Sequence, residues 1–402
     1  MNHIASILAA ATLACAGLAQ DNQLTLDRAL ASARTNRSSF AAAQQRLESA
    51  LLSRRALGAF PATRLFVGYS SDLDVGGSDD DLVLAQPIDL FGRTSAARAL
   101  GDARVVQAEA EFRQVAVEVQ SEVVSAYVEA AASAELVRTA TLVQQTLERL
   151  YEATRLRIEG GVVPGVQLTR VGLELDQAKL RKQRREAELQ ANLQRLATVV
   201  GVTELPVAGA FPELALMSVD DAVLMRQRPD LLLLSADVQV AEADARVARL
   251  GSLPELEIQG RRTPWQQSDD QYGLRIQIAV PVFDFGRTRA ESRAASVRAE
   301  AARRALADAI RLAGGEIAAA RIEVDSAREQ VAQYETLVTT ARDLVERLRP
   351  ALTEQATTLI EVIDATRSMR DIEEALVEAK ERLAHAQSRY LRATGQLLET
   401  QE

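Results

Sequence analysis

Residues 87–93 read Pro-Ile-Asp-Leu-Phe-Gly-Arg, and residues 281–287 read Pro-Val-Phe-Asp-Phe-Gly-Arg. This echo constrains the fold more than any other feature, because the same offset of about 194 positions recurs along nearly the whole chain. Thr25 opens Thr-Leu-Asp-Arg-Ala, and Ser218 opens Ser-Val-Asp-Asp-Ala. Gly58 and Pro61 answer to Gly251 and Pro254, and Gly201 answers to Gly395. One unit of nearly two hundred residues is written twice, so we expect two structural repeats, residues 20–208 and 209–402.

The ten prolines act as punctuation. None falls in residues 94–163 or 288–349, and proline inside a helix costs about 3 kcal/mol. Within the first run Phe112, Val115/Ala116, Val119, Val123, Tyr127, Ala130, Ala134 and Val137 recur every three or four residues, a helical face. About sixty-five helical residues at ~1.5 Å each reach roughly 100 Å. No compact globule needs such a helix, whereas a periplasm-spanning conduit or a coiled coil does. Aromatics make up only 4% of the chain, which suits helix contacts made by small side chains. Each repeat reads as a helix (about 25–57 and 219–250), two strands, a very long helix, a short break and a return helix. The strands are expected at about 63–69 and 81–88, then at about 255–261 and 272–282. The hairpin tips are expected at about 160–166 and 350–359.

The strand regions bear on where the protein resides. Tyr272, Leu274, Ile276, Ile278, Val280 and Val282 alternate with Gly273, Arg275, Gln277, Ala279 and Pro281. Such alternation over about eleven residues matches a tilted strand with an apolar face toward lipid and a polar face inward. Leu82, Leu84 and Ile88 keep the phase in the first repeat, with Gln86 as the exception. A half-buried soluble sheet has the same period and stays open as an alternative. The connecting segments, Ser71 to Asp80 and Thr263 to Gln271, are polar and turn-forming, and Asp79-Asp80-Asp81 reads as a solvated loop end, since a calcium site needs more ligands at defined spacing. Four strands cannot close a barrel, and an open edge in lipid leaves backbone groups unpaired. Three copies sharing one cylinder would supply twelve strands, a closed and even number.

The net charge of −9 argues against nucleic acid. Residues 4–19 are apolar and uncharged, as in a secretory signal peptide cleaved after Ala19, although the segment before them lacks Lys and Arg. A buried N-terminal helix is the other reading of this segment. Cys15 is the only cysteine, which excludes an intrachain disulfide and a cysteine-based metal site; it also leaves lipid attachment open, with Thr12 an unfavourable residue at the −3 position. The two histidines, His3 and His385, provide no acid–base pair, and Gly314-Gly315 lacks the lysine and strand of a phosphate loop. We expect no catalysis, no cofactor and no resident metal.

In its repeat, its Gly-Ala-Phe-Pro and Gly-Ser-Leu-Pro lead-ins to the strands and its Phe-Gly-Arg exits into the long helices, the chain resembles the TolC-like outer-membrane factors over residues 23–398. The return segments Val166 to Val171 and Leu359 to Ala365 add to the likeness. Its Leu-Phe-Gly-Arg exit and short loops resemble the CzcC-type branch associated with metal export. The resemblance implies a mainly α protomer with a small β part: a homotrimer in which four strands per chain join a shared transmembrane β-barrel above a long α-helical tunnel. It implies an outer-membrane exit channel, passive itself, whose periplasmic tip docks an adaptor protein and, through it, an inner-membrane pump of RND or ABC type.

On the matching positions, the resemblance places Glu361, Asp364 and Gln167 at a periplasmic gate. Glu361 and Asp364 lie three apart on one helical face, where carboxylates crowded by three chains would raise one another's pKa and select cations. An acidic pair on a solvated helix face is the plainer reading. Gln167 stands where relatives often carry Asp, and Gln355, Leu352 and Thr357 stand where relatives carry a Gly and a Tyr–Arg latch. Adaptor docking falls to Gly160, Gly161, Val162 and Val163, with Ala356, Thr357, Thr358 and Leu359, small residues that let a helical hairpin approach; the same glycines also simply make a turn. Arg275 and Gln277 are expected in the barrel lumen, and Trp265 and Tyr272 as interfacial anchors. Two other classes compete: a periplasmic adaptor, which has one hairpin and no doubled strand–strand–helix–helix order, and a coiled-coil scaffold, which leaves residues 272–282 unexplained.

Overall fold

The computed structural model describes residues 23–71, 78–160, 164–212, 214, 216, 221–264, 270–280, 283–354 and 356–396. The expected signal peptide with Cys15, the tip residues Gly161, Val162 and Val163, and Trp265 and Gln355 lie outside the described residues. In chain order the elements are β1 Gln23–Leu24, α1 Leu26–Asn36, α2 Ser38–Leu57, β2 Arg64–Ser71, β3 Ser78–Ile88, α3 Arg93–Glu159 and α4 Val166–Val200. There follow β4 Val207–Ala208, α5 Asp221–Gln227, α6 Pro229–Leu250, β5 Glu255–Pro264, β6 Asp270–Ala279, α7 Arg287–Thr353 and α8 Leu359–Thr394. The order of the first half recurs in the second, and α3 and α7 are each 67 residues long.

The chain packs as two compact units, and neither is a repeat. One comprises residues 1–40, 115–228 and 313–402; the other comprises 41–114 and 229–312. Each takes material from both halves of the sequence.

The first unit is helical, with β1 and β4 paired in parallel beside it. The face of α3 expected from periodicity packs, Val119, Val123, Tyr127 and Ala130 meeting Ala29, Leu30 and Ala33 of α1 and Leu193, Leu196 and Val200 of α4, and Val124 and Val128 beside it are buried against Ala384 and Leu391 of α8. The valines and leucines among them, removed from water, contribute on the order of 1.5–3 kcal/mol each, and the alanines less. The expected single helix over 25–57 breaks at Arg37, whose backbone is extended and whose guanidinium pairs with Glu122 of α3. Gly201 ends α4 at φ +78, and a Cβ there would come within 2.9 Å of Asn36 Cβ, so the end of α1 and this cap require a glycine. The expected helix over 219–250 likewise divides: Pro229 begins α6, and Arg228, buried before it, pairs with Glu316 at 2.8 Å.

The second break between helices is shorter than expected. Rather than ending at Pro350, α7 runs through it to Thr353, and the turn is confined to residues 354–358. Proline removes one helical donor, so α7 carries Pro350 one bond short and ends within a turn of it. The Pro350 carbonyl still accepts from the Glu354 N–H at 3.0 Å.

The second unit holds a four-stranded antiparallel sheet in the order β2-β3-β5-β6. The strands begin and end differently from expectation. Ser78 starts β3, so Asp79, Asp80 and Asp81 pair with Ser70, Tyr69 and Gly68 in the ladder instead of forming a loop end. Pro264 and Asp270 pair at the far end of β5 and β6, while β6 stops at Ala279, two residues before Pro281, which has no N–H to offer a ladder. In the same unit Leu100 and Ala103 of α3 pack on Ala243 of α6, with Val240 and Val247 around them.

Candidate functional site

The register of the sheet sorts its side chains cleanly. Val67 lies opposite Leu82 and Leu65 opposite Leu84; Leu84 is paired with Gly260 and Gly260 with Leu274; Ile258 faces Ile276 and Leu256 faces Ile278. One face is therefore almost entirely apolar, and it is open: Val67 is 75% exposed and Leu274 79%, with Leu65, Leu84, Tyr272, Ile276 and Ile278 also exposed. Leaving so large a contiguous apolar surface in water is unfavourable, and lipid or protein is its natural neighbour. Polar residues in this phase include Arg262, between Leu82 and Tyr272, and Gln86, which is satisfied locally: its Nε2 donates to the carbonyls of Pro61 (3.0 Å) and Pro87 (3.1 Å), and Thr63 Oγ1 donates to its Oε1.

The opposite face carries a polar network. Arg64 Nη2 reaches Glu257 Oε2 at 2.8 Å, and Gln259 Nε2 donates to Glu257 Oε1 (2.7 Å) and to Gln277 Oε1 (2.9 Å). Ala85, fully buried, lies between Arg64 and Gln259 in the register. Both expected residues, Arg275 and Gln277, are exposed on this face. Sequence reasoning missed Arg64, Glu257 and Gln259 as members, although the alternation Glu255-x-Glu257-x-Gln259-x-Arg261 carries the signal.

Past the strands, each long helix begins at a capped turn. Asp89 Oδ1 accepts from the Arg93 N–H at 2.8 Å and Oδ2 from the Thr94 N–H at 2.7 Å. Partial burial works to raise its pKa, but these N–H groups outweigh it and hold the carboxyl below the usual range. In the second repeat Asp284 sits one position later in the motif and does the same work, accepting from the N–H groups of Gly286 and Thr288, both at 3.0 Å. The Thr288 hydroxyl and these amides bring Asp284 down to about 2. The arginines differ. Arg93 donates to the carbonyls of Leu250 (3.2 Å) and Leu253 and pairs with Glu255 at 2.5 Å, whereas Arg287 pairs at 2.8 Å with Glu291 of its own helix and stays exposed.

At the hairpin tips the expected gate residues have defined local work. Thr358 and Glu361 form a capping box at the start of α8: the Glu361 N–H donates to Thr358 Oγ1 (3.3 Å), and the Thr358 N–H donates to Glu361 Oε2 (2.9 Å). The Thr357 hydroxyl also donates to Glu361, and this bond first, then the Thr358 amide, lowers the Glu361 pKa. Asp364 lies 3.4 Å from Arg367, whose guanidinium is held chiefly by Glu174 of α4, a nearly buried carboxylate missed in the sequence. Gln167 occupies the first turn of α4, its N–H bonded to the Pro164 carbonyl at 3.1 Å. Of the expected docking residues, Gly160, Ala356 and Thr358 are exposed, but Leu359 is not. It is buried with Val171, Leu352, Val362 and Ile363, because an apolar side chain opening a helix between packed neighbours turns into their core. Exposed Leu156, Val166 and Ile360 present apolar surface near the tips instead.

Among the described residues no group of three His, Cys, Asp or Glu side chains is arranged to hold a metal, and no helix is long and apolar enough to cross a membrane.

Comparison with known proteins matches a family model described as outer membrane efflux protein to residues 29–202 and again to 223–396. A search of curated sequences finds no match. Among solved structures, the chain is similar to CusC, with 18% identity, coverage of 92% of both chains and a TM-score of 0.79. It is also similar to the outer-membrane channel OprN, with 22% identity, coverage of 92% and 89% and a TM-score of 0.76. The outer membrane protein VceC of Vibrio cholerae gives 18% identity, coverage of 92% and 96% and a TM-score of 0.77.

Proposed function

From the chain's membership of the outer membrane efflux protein family, which the doubled match makes plain, we propose how its residues divide the work of an export duct. The protein is an outer-membrane efflux channel, with most of its chain in the periplasm and the fold of TolC-like channels. It acts as a passive conduit. The energy comes from an inner-membrane pump reached through a periplasmic adaptor, and the chain itself performs no chemistry.

One observation carries this reading: a four-stranded sheet, apolar and exposed on one face, polar and hydrogen-bonded on the other, with both edges open. Unpaired backbone is untenable in lipid, so the apolar face favours closure with further strands, and three copies give an even-numbered barrel. The face bearing Arg64, Glu257, Gln259, Arg275 and Gln277 then lines the lumen. Glu361, Asp364 and Gln167 line the periplasmic gate, and Gly160 to Val163 with Ala356 to Thr358 receive the adaptor. Cargo is selected by the pump and adaptor, and metal ions are the class to try first, given the Leu-Phe-Gly-Arg exit.

The test is reconstitution of the purified protein in planar bilayers. A heat-sensitive trimer with steady conductance is expected, and Glu361→Ala/Asp364→Ala should reduce its preference for cations. A protein released from membranes by alkaline wash, or silent in the bilayer, would overturn the reading.

A further inference from the structure

The polar face of the sheet is ordered along its strands as well as across them. Arg64, Ala85, Gln259 and Arg275 share one row of the register, and Phe66, Val83, Arg261 and Gly273 share the next row on the same face. These two rows hold every arginine that the four strands place on this face, and they hold no acid. The carboxylates lie to either side. Glu257 and Glu255 occupy the rows toward the Ile88 and Ala279 ends of the strands, and Asp81 and Asp79 occupy the rows toward the opposite end of β3. Same-face rows are two residues apart, so the arginine band is roughly 7 Å deep.

Nearby acids leave Arg275 uncompensated. Glu257 is engaged by Arg64, whose Nη2 reaches it over β3 at 2.8 Å, and it also accepts from Gln259 at 2.7 Å. Glu255 is turned to Arg93 at the start of α3 (2.5 Å). Gln277 beside Arg275 on β6 accepts from Gln259 at 2.9 Å. The Arg275 side chain is exposed and has no ion pair among the described residues. Its diagonal neighbour is Arg261, since Arg261 lies opposite Gly273. Diagonal pairs on one face are about 7–8 Å apart, within reach of long side chains. Two guanidiniums at that spacing repel, neither can shed its proton, and an anion between them lowers the cost.

We propose that Arg275, with Arg261 and Arg64 beside it, forms an anion-preferring belt in the barrel lumen, opposite in sign to the carboxylates of the gate. The proposal rests on the barrel reading above, in which each further copy adds the same three arginines at an equivalent level. Rings of guanidinium favour anions and oppose bare cations, and low-dielectric walls focus their field. The cargo that such a belt favours is anionic: a solute carrying carboxylate or phosphate, or a metal ion held in an anionic complex.

The test is the reversal potential of the purified full-length channel in planar bilayers under a potassium chloride gradient, at about 0.1 M salt, where charges act over about 10 Å. Arg275→Gln should move the potassium-to-chloride permeability ratio toward potassium by about twofold, and Arg275→Lys should leave it near the native value. Glu361→Ala/Asp364→Ala should move the ratio the other way, to a preference for chloride, and adding Arg275→Gln should remove that preference. Raising the salt to about 1 M should also erase it, with no change at position 275. A ratio unmoved by Arg275→Gln in both backgrounds would overturn the belt and leave the channel standing. A gate variant that still prefers potassium at low salt would overturn it whatever the Arg275 variants do. A native protein that carries no current would remove the channel reading, and the belt with it.

Discussion

Helices α4 and α8 hold the same place in their repeats and lead different lives. Helix α4 buries eight residues and α8 fifteen, and the excess lies where the counterparts are exposed or half-buried. Ile363 is 2% exposed while its counterpart Thr169 stands in solvent. Arg367 and Glu374, which pair across to Glu174 and Arg185 of α4, correspond to the exposed Leu173 and Leu180. The core around Ile363 draws on Leu150 and Tyr151 of α3, Val171 of α4 and Leu348 and Leu352 of α7, so α8 is enclosed by neighbours from the same chain. Helix α4 packs on α3, on α8 and, toward its end, on α1, and leaves Leu173 and Leu180 exposed. A duplicated sequence preserves the backbone plan, and the side chains at equivalent positions diverge according to what each copy touches.

The comparison breaks first at its most buried point. Ile363→Ala should cost about 3 kcal/mol in denaturant unfolding, the ordinary penalty for a large-to-small change in a packed core. Thr169→Ala should stay within about 0.5 kcal/mol, and a comparable loss there would mean that the two helices are equally enclosed.

Next comes the ion pair. Arg367→Leu strands the nearly buried Glu174 and should cost about 2 kcal/mol, below a fully buried pair because Arg367 is partly solvated. Replacing both, with Glu174→Leu added, should restore most of the loss in the same unfolding measurement. If the double variant is as unstable as the single one, the pair is holding more than its own charge.

The smallest effect is the most local. Glu361 is lowered from its usual 4.5 by the Thr357 hydroxyl and the Thr358 amide. Its contribution to the capping box is therefore complete above 4.5 and is lost as pH falls through the lower folded value. Amide exchange at Thr358 to Val362 should quicken on acidification below that range, and Glu361→Gln should show no such pH step. The first turn of α4, whose cap Gly165 has no side-chain bond, should be indifferent throughout.

Much of this architecture was legible from residues alone. The repeat announced the order of elements, the three-to-four spacing of Val119, Val123 and Tyr127 picked the packed face of α3, and alternation in residues 272–279 separated the two faces of β6. Thr358-x-x-Glu361 is itself a readable helix start, and it shows the candidate gate residue employed as a cap. What escaped depends on partners distant in sequence. The helix breaks at Arg37, which pairs with Glu122 of α3, Leu359 turns inward among Val171 and Leu352, and α7 continues through Pro350 to Thr353. Periodicity within a segment contains none of those facts.

The two open strand edges have a consequence for time as well as structure. Until another copy arrives, each chain carries a ready template for any strand that happens by, beside an apolar face with no lipid around it. Its lifetime in that state falls as the concentration of its own kind rises, so the hazard is greatest for the first copies made and smallest once supply is plentiful. A cell producing this protein slowly would lose more of it to mispairing than one producing it in a burst.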